Sequence, residues 1–394
     1  MESLFIQNQP NVLVLSVLPL LKLICLTVIG LILAHPKTQL VPKATFKLLS
    51  KLIFALFLPC MIFIHLGETI TLDNFVQWWF IPVNVILSTA IGCVLGFLVA
   101  KICQPPPEYF RFTIIMTAFG NTGNLPLAIV GSVCRSPDNP FGPACHKTGT
   151  AYVSFAQWVA VLLVYTLGYH MMEPPIDYLS VVENGTELQE QEPLLVETEH
   201  FKTPLIARVL RRIRNVAQKN KNPLWHIFQP PMIATLLAFF VGAVPQIKSL
   251  VFGDDAPFSF ITDSLEILGK AMVPSVMLVL GGMLAEERPN ESRLGIRTTV
   301  GIVVARLLVL PLVGLGVVCL ANRLEFLIPG DKMYRFVVLL QYTTPSAILL
   351  GAVASLRGYA VSEASALLFW QHIFAVFSLA LYVIVYFKML ISYV

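Results

Sequence analysis

The sequence predicts an all-α polytopic membrane protein with about ten transmembrane helices in two inverted five-helix repeats. Of its 394 residues, 56% are hydrophobic and only 13% are charged, whereas a soluble domain carries about 25% charged residues. Ten apolar segments are long enough for a bilayer, which takes about 20 residues. The fourth and ninth segments are interrupted at mid-length by proline and polar residues, as broken crossover helices would be.

These segments, called spans 1 to 10, follow each other with short connections except after span 5. The first has no basic stretch and no small-residue cleavage site before it, so we interpret it as a membrane helix and not as a removable signal peptide. Boundaries read from sequence are good to a few residues. The predicted spans are 12–34, 46–66, 79–100, 110–133, 150–171, 226–246, 260–284, 297–321, 334–355 and 364–391.

A polar segment divides the spans into two sets of five. The predicted regions are a first membrane repeat at 1–172, a linker at 173–222 and a second, inverted repeat at 223–394. The linker begins with acidic residues and few aromatic ones, which is typical of disorder. Its basic part, 205–217, has helical periodicity. It would lie on an anionic membrane surface or form part of a solvated linker, and the sequence leaves both open.

The two sets of five resemble each other at corresponding spans. Span 2 contains Pro59-Cys60 and span 7 contains Pro274-Ser275, in each case a proline followed by a small polar residue. Proline-interrupted spans at matching positions are typical of a structural repeat. With five helices per repeat, the second copy must insert upside down. Chance likeness between apolar segments is the alternative.

Lysine and arginine concentrate in the odd-numbered connections. Examples are Lys43 just before span 2 and Lys51 near its start. Lys101 and Arg111 lie on either side of the connection between spans 3 and 4. The positive-inside rule places such connections in the cytosol. The long linker is then cytosolic, and both termini lie on the other side.

The break in span 4 is the most informative stretch, and it reads Phe119-Gly120-Asn121-Thr122-Gly123-Asn124-Leu125-Pro126. Proline removes a backbone donor and glycine frees the backbone, so the helix should break at mid-membrane depth. Backbone released at this depth must line a cavity or be buried in protein. A helix that is only kinked is the alternative. Span 9 has a corresponding stretch, Tyr342-Thr343-Thr344-Pro345-Ser346.

Together the two breaks predict one binding site for an organic anion. A half-helix N-terminus carries about +0.5 charge and free N–H groups. Neither break contains a carboxylate, which disfavours a Na⁺ or Ca²⁺ site, so the anion would be held without a full countercharge. Aromatic residues near the breaks suit a ring-bearing substrate. The predicted binding residues are Asn121, Thr122, Asn124, Pro126, Tyr342, Thr343, Thr344, Pro345 and Ser346, with Cys60 and Ser275 beside them.

Motifs of other function classes are absent from the sequence. There is no HExxH, GxSxG or Walker A sequence and no paired intramembrane aspartate. The seven cysteines show no zinc-binding spacing. We therefore expect no enzyme activity, no metal or other cofactor and no nucleic-acid partner. Ionisable residues inside spans are candidates by default; these are Lys22, His65, Glu266, Lys270, Arg306 and His372, of which Glu266 and Lys270 are spaced to pair on one helix face.

The two breaks, with Leu58-Pro59-Cys60-Met61 and Leu278-Val279-Leu280-Gly281-Gly282-Met283-Leu284-Ala285, resemble the PIN-LIKES family of plant auxin transport facilitators, within the auxin efflux carrier superfamily. The resemblance covers the chain apart from the linker. It implies a five-plus-five inverted repeat, residence in the endoplasmic reticulum membrane, and transport of indole-3-acetic acid into the lumen or its retention there. In the related PIN carriers the crossover asparagine meets the auxin carboxylate, a role that falls on Asn121. The PIN crossover reads Pro-Asn-Thr, whereas Gly120 precedes Asn121 here.

The sequence leaves several properties open. A gated organic-anion channel and a non-transporting membrane receptor for the same ligand are the alternatives to a carrier. Membrane lipid is an expected partner of every span. The driving ion, the direction of transport and the oligomeric state, a homodimer included, are not determined.

Cys134 and Cys145 predict a disulfide. They bracket a connection with three prolines and one glycine, which the charge pattern places on the non-cytosolic side. Such a turn can bring two Cα atoms within the roughly 4.4–6.8 Å that a bridge needs. The lumen of the reticulum is oxidising enough for disulfides to persist. Two free cysteines acting as small apolar residues are the alternative.

Overall fold

A computed structural model of the chain describes residues 9–35, 40–134, 141–174, 230–253, 256–285 and 294–392. Within these ranges the regular structure is helical, apart from one isolated bridge between two chain segments. Nearly all of the predicted linker lies outside the described residues, so its disorder and its basic surface stay predictions.

The described helices form ten spans at the predicted positions. Two short helices, Leu72–Gln77 and Pro245–Val251, lie in the connections after spans 2 and 6. The spans are Gln9–Ala34 (span 1); Lys43–Leu52, Ile53–Phe57 and Leu58–Thr69 (span 2); Phe80–Cys103 (span 3); Phe110–Ala118 and Asn124–Cys134 (span 4); Cys145–Leu163, Val164–Gly168 and Tyr169–Met171 (span 5); Pro230–Ala243 (span 6); Ser259–Lys270 and Met272–Leu284 (span 7); Ile296–Val304, Ala305–Val309 and Leu310–Arg323 (span 8); Lys332–Thr343 and Leu349–Arg357 (span 9); and Val361–Ser392 (span 10).

Not every span passes a simple length test. In the described part of the chain, six helices are long and apolar enough to cross a membrane, or seven if span 6 and its sharply bent continuation Pro245–Val251 count as one. The remaining three spans fall short for local reasons. The apolar stretch counted in span 1 is only Leu21–Ala34, and spans 4 and 9 are each cut in two.

Prolines inside two spans follow π-helical turns. Pro59 comes just after the turn Ile53–Phe57 in span 2, and Pro311 just after the turn Ala305–Val309 in span 8. A proline ring clashes with the carbonyl four residues earlier and supplies no N–H. The wider π turn contains that carbonyl and accommodates the ring within a continuous span. In span 8 this irregular turn also contains Arg306.

The packing of the spans repeats between the two halves. Span 1 packs along span 7 as span 6 packs along span 2, and each broken span packs against the spans before and after it. Glycines permit the close approach of spans 1 and 7. A Cβ added to Gly30 would lie 2.3 Å from the Leu278 carbonyl oxygen, and one on Gly281 would lie 1.9 Å from that of Thr27. The contact between spans 1 and 7 thus corresponds to the contact between spans 6 and 2, as expected if each span of the first repeat matches the span five places later.

Contacts between connections agree with one membrane crossing per span. The Lys248 ammonium, after span 6, donates to the Ile70 carbonyl, after span 2, at 2.9 Å. The Tyr152 hydroxyl, near the start of span 5, donates to the Asp331 carboxylate, before span 9, at 2.6 Å. Both contacts join even-numbered connections, which lie on the same side if each intervening span crosses once.

The core lies where the two broken spans cross. Residues 336–354, which include most of span 9 and its break, are buried without exception. A helix that is apolar all round and has no exposed face belongs in the interior of a bundle. This position encloses the break in span 9 within protein.

Candidate functional site

The breaks in spans 4 and 9 pair with each other through their backbones. They comprise residues 119–123 and 344–348, so the predicted crossover of broken helices is confirmed. Gly120 and Ser346 form an antiparallel bridge. The Asn121 amide donates to the Pro345 carbonyl at 2.9 Å, and the Ala347 amide donates to a carbonyl of the other break at 2.9 Å. Peptide groups of each break thus form hydrogen bonds with the other break in place of the helical partners that they lack.

The two prolines fit the places that the chain gives them. Pro126 is the third residue of the half-helix Asn124–Cys134, where its missing N–H would have had no intrahelical partner. Thr344 is extended, with φ −77° and ψ 147°, as the residue before Pro345 prefers to be. The first half-helix of span 9 therefore ends before Pro345, and the second half-helix of span 4 begins two residues before Pro126.

Two polar side chains at the breaks are buried with unused hydrogen-bonding atoms. Asn121 is 5% exposed and Thr344 is fully buried. The Asn121 Nδ2 and the Thr344 Oγ1 find no hydrogen-bond partner in the described part of the chain. Leaving such an atom unsatisfied costs about 1–3 kcal/mol, and folded proteins do so rarely. These atoms are therefore available to a ligand or to water.

Two glutamines that the sequence analysis did not select flank the breaks. Gln371 of span 10 accepts a hydrogen bond from the Ser346 amide at 2.8 Å. The amide of Gln157 in span 5 packs against Gly123, where an added Cβ would lie 2.4 Å from its Cδ. One atom of each, Gln371 Nε2 and Gln157 Oε1, is buried and without a partner among the described residues. Each break thus receives a buried amide from the span that follows it.

Arg306 of span 8 reaches both breaks. Its Nε donates to the Thr344 carbonyl at 3.0 Å, and its Nη1 donates to the carbonyls of Thr117 and Ala118, each at 3.1 Å. These carbonyls end the first half-helices of spans 9 and 4, where a cation is favoured. Arg306 is 1% exposed and forms no ion pair with a carboxylate among the described residues. A full positive charge therefore lies between the two breaks, where the sequence analysis expected none; the anion site itself stays a prediction.

Gly120 accommodates this guanidinium. A Cβ added to Gly120 would lie only 1.7 Å from the Arg306 Nη2 and 3.2 Å from the Thr344 Oγ1. The Arg306 guanidinium and the unpartnered Thr344 hydroxyl therefore both lie beside Gly120, the residue that precedes Asn121.

Tyr342 does not face the breaks as the sequence suggested. Its hydroxyl donates to the Asn84 Oδ1 of span 3 at 2.8 Å. Its ring lies against Gly314 of span 8, where an added Cβ would be 2.3 Å from the ring's Cγ. Tyr342 thus packs between spans 3, 8 and 9 and cannot offer its ring to a substrate at the breaks in this conformation.

Other predicted residues have structural partners. The Thr343 hydroxyl donates to the carbonyl three residues earlier in its own helix at 3.0 Å, and the Ser346 hydroxyl donates to the Met116 carbonyl of span 4. The Asn124 Nδ2 lies 3.8 Å from the Met272 Sδ of span 7. Thr122 is buried beside Asn121.

Cys60 and Ser275 lie on spans 2 and 7, and their role at the site stays a prediction. Cys60 is buried and Ser275 is half-buried. Span 7 approaches the breaks through Met272, next to Asn124, and through Val276, which shares a small cavity with Ile348 of the break in span 9.

Cys134 and Cys145 are joined by a disulfide, with their Cα atoms 5.5 Å apart. The bridge connects the end of span 4 to the start of span 5. It therefore fixes the second half-helix of span 4 to the span that carries Gln157.

The chain is similar to known transport proteins along nearly its whole length. A family model described as a membrane transport protein matches residues 15–383. Protein PIN-LIKES 2 of Arabidopsis thaliana is 61% identical, over 96% of this chain and 94% of that protein. Protein PIN-LIKES 6 of the same plant is 42% identical, over 95% and 93%. An uncharacterized transporter of Schizosaccharomyces pombe is 24% identical, over 89% and 90%.

Proposed function

Because the chain belongs to the membrane transport protein family, and within it to the PIN-LIKES proteins, we propose that it carries a small aromatic carboxylate, the auxin indole-3-acetic acid, across the endoplasmic reticulum membrane by alternating access. The observation that carries this proposal is the crossing of spans 4 and 9, which buries unpartnered polar atoms beside a fixed positive charge.

The polar groups at the crossing suit a carboxylate. The Asn121 Nδ2 is a free donor, and the half-helices that begin at Asn124 and Leu349 direct N–H groups toward the breaks. Hydrogen bonds to an ionised oxygen are stronger than those between neutral groups. Phe119, which is buried within the break of span 4, provides apolar surface for a ring. In this proposal Asn121 binds the carboxylate.

Alternating access is supported by how hydrogen bonds join the spans. Tyr109, at the start of span 4, donates to the Glu363 carboxylate at the start of span 10 at 2.6 Å. Tyr152 of span 5 and Asp331 before span 9 form the equivalent contact at the opposite end. With Arg306 at the centre, these bonds tie spans 4, 5, 8, 9 and 10 into one group.

Contacts of this group with spans 2 and 6 are apolar at several points. The rings of Trp158 in span 5 and Phe239 in span 6 meet edge to face, with centroids 4.8 Å apart. Phe54 of span 2 and Tyr165 of span 5 lie 5.3 Å apart. Apolar contacts are non-directional, so one group can slide against another without losing specific bonds. The proposed motion shifts the crossing relative to spans 1, 2, 6 and 7, and so exposes it to each side in turn.

The proposed location rests on charge and on the disulfide. The odd-numbered connections are rich in lysine and arginine, which supports a cytosolic position for them and a lumenal position for both termini. A disulfide between Cys134 and Cys145 in an even-numbered connection suits an oxidising lumen.

The test is flux of radiolabelled indole-3-acetic acid in proteoliposomes, with and without a pH gradient. A carrier gives saturable uptake that unlabelled substrate on the far side accelerates. A conductance far above carrier turnover would indicate a gated channel, and binding without flux would indicate a receptor. Asn121→Ala should abolish most uptake, whereas Asn322→Ala, at an exposed position in span 8, should leave it unchanged.

A further inference from the structure

We propose that Arg306 gives the crossing its preference for anions. Its charge, held between the two breaks, distinguishes an ionised carboxylate from a neutral molecule of the same shape. Arg306 acts through its field and through the breaks it positions, without touching the substrate in this conformation. The inference rests on the proposed function, because it assumes that the ligand binds at the crossing.

The guanidinium has a fixed position. It donates to carbonyls of span 4 and of span 9 at 3.0–3.1 Å, so it cannot follow one break without leaving the other. Arg306 itself sits in the π-helical turn Ala305–Val309, ahead of Pro311. A charge held this rigidly acts on a ligand without the reorganisation that water would need.

The charge is not neutralised nearby. In the described part of the chain, no carboxylate pairs with Arg306. The carboxylates of Glu363 and Asp331 accept hydrogen bonds from tyrosines at the two ends of the protein. A buried ion is costly unless an opposite charge accompanies it. An anionic substrate would supply that charge.

Capping the two half-helices does not by itself require a charge. Carbonyls at helix ends can be satisfied by neutral donors, and a neutral amide already donates to a backbone carbonyl of span 9, since the Asn84 Nδ2 donates to the Val338 carbonyl at 3.2 Å. A neutral side chain at 306 could donate in the same way at a lower cost of burial. The positive charge is therefore the property that needs a functional explanation.

Gly120 brings the charge close to the proposed carboxylate partner. The Arg306 Nη2 occupies the space where a Cβ of Gly120 would lie, and the unpartnered Thr344 Oγ1 borders the same space. The next residue is Asn121, whose Nδ2 is free. A carboxylate bound at Asn121 would therefore lie close to the guanidinium, because Gly120 places no side chain between them.

The experiment compares two ligands that differ in charge. Binding of indole-3-acetate and of the neutral indole-3-acetamide is measured on purified protein in nanodiscs, for the wild type, Arg306→Gln and Arg306→Lys. We expect Arg306→Gln to weaken acetate binding about 15- to 250-fold, the effect of a unit charge about 5–10 Å away at an effective dielectric of about 20. Binding of the amide should change far less, and Arg306→Lys should keep most of the preference for the acetate.

Arg323→Gln is the matched control. It removes the same charge from the same span, but at an exposed position near its end, and should leave both affinities unchanged. A merely structural role for Arg306 would lower both affinities together in Arg306→Gln, which would overturn the inference. So would an unchanged ratio between the two ligands.

If Arg306→Gln fails to fold, the wild type can still overturn the inference. A wild-type protein that binds the amide as tightly as the acetate would have no charge preference, and the inference would fall. If the wild type binds neither ligand, the proposed function fails instead. The two failures are therefore distinguishable.

Discussion

Gly120→Ala tests the structure of the crossing directly. The added Cβ would lie 1.7 Å from the Arg306 Nη2, so the guanidinium must move by more than 1 Å or the breaks must separate. The three hydrogen bonds of Arg306 are 3.0–3.1 Å long, and a shift of that size breaks one or two of them. The substitution should therefore destabilise the protein although it adds only a methyl group.

The expected loss follows from the bonds. A hydrogen bond to a charged group contributes about 1.5–3 kcal/mol, so losing one or two costs about 1.5–6 kcal/mol. At about 2 °C per kcal/mol, the lower end of the range for domains of 150–250 residues, Tm should fall by about 3–12 °C. The assay is thermal unfolding of the purified protein in detergent.

Gly316→Ala is the matched control, because Gly316 lies in a helix of the same span as Arg306 and no atom lies within 4 Å of its added Cβ. Alanine is favoured over glycine in a helix by up to about 1 kcal/mol, so Tm should stay or rise. In an Arg306→Ala background, Gly120→Ala should cost little more, because the clash is gone. A Gly120→Ala protein as stable as the wild type would refute the placement of the guanidinium.

Three further predictions concern the site and its orientation. Asn121→Ala should weaken ligand binding about 5- to 150-fold, since an unpaired buried polar group costs about 1–3 kcal/mol, while Asn322→Ala should not; equal affinities by equilibrium binding would refute the role of Asn121. A variant that keeps only Cys134 and Cys145 should resist thiol labelling when denatured until it is reduced, and full labelling without reductant would show free thiols. Asn290, in an acceptor sequence Asn-Glu-Ser, should carry no glycan, and a mass shift traced to it after glycosidase treatment would invert the orientation.

The sequence was sufficient to predict the spans and their breaks, because the bilayer restricts the choices. Apolar length and the absence of charge locate a membrane helix, so span 9, predicted at 334–355, is observed from Lys332 to Arg357. The breaks were visible because proline and glycine act locally. The pair Glu266–Lys270, four residues apart, forms at 2.8 Å as its spacing predicted.

The sequence could not show which side chains meet at the breaks. Arg306 contacts residues 38 and 189 positions away, and the spacing of residues along one helix carries no information on such pairs. Tyr342 shows a second difficulty. Successive residues of a helix point about 100° apart, and periodicity normally reveals which of them face the interior. Residues 336–354 are buried on every side, so span 9 has no such pattern, and nearness to the break in sequence was misleading.

The glycine at position 120 and the arginine at position 306 are best understood as one feature. The PIN carriers, which the break in span 4 resembles, have proline at the position of Gly120. A proline ring there would need the space that the guanidinium fills, since even a Cβ would lie 1.7 Å from the Nη2. The charge can therefore enter the crossing only if residue 120 is small, and a small residue there would leave a gap if the arginine were absent. It follows that a sequence with proline at this position should carry a shorter or neutral side chain at the position of Arg306, and must obtain any preference for anions from another part of its site.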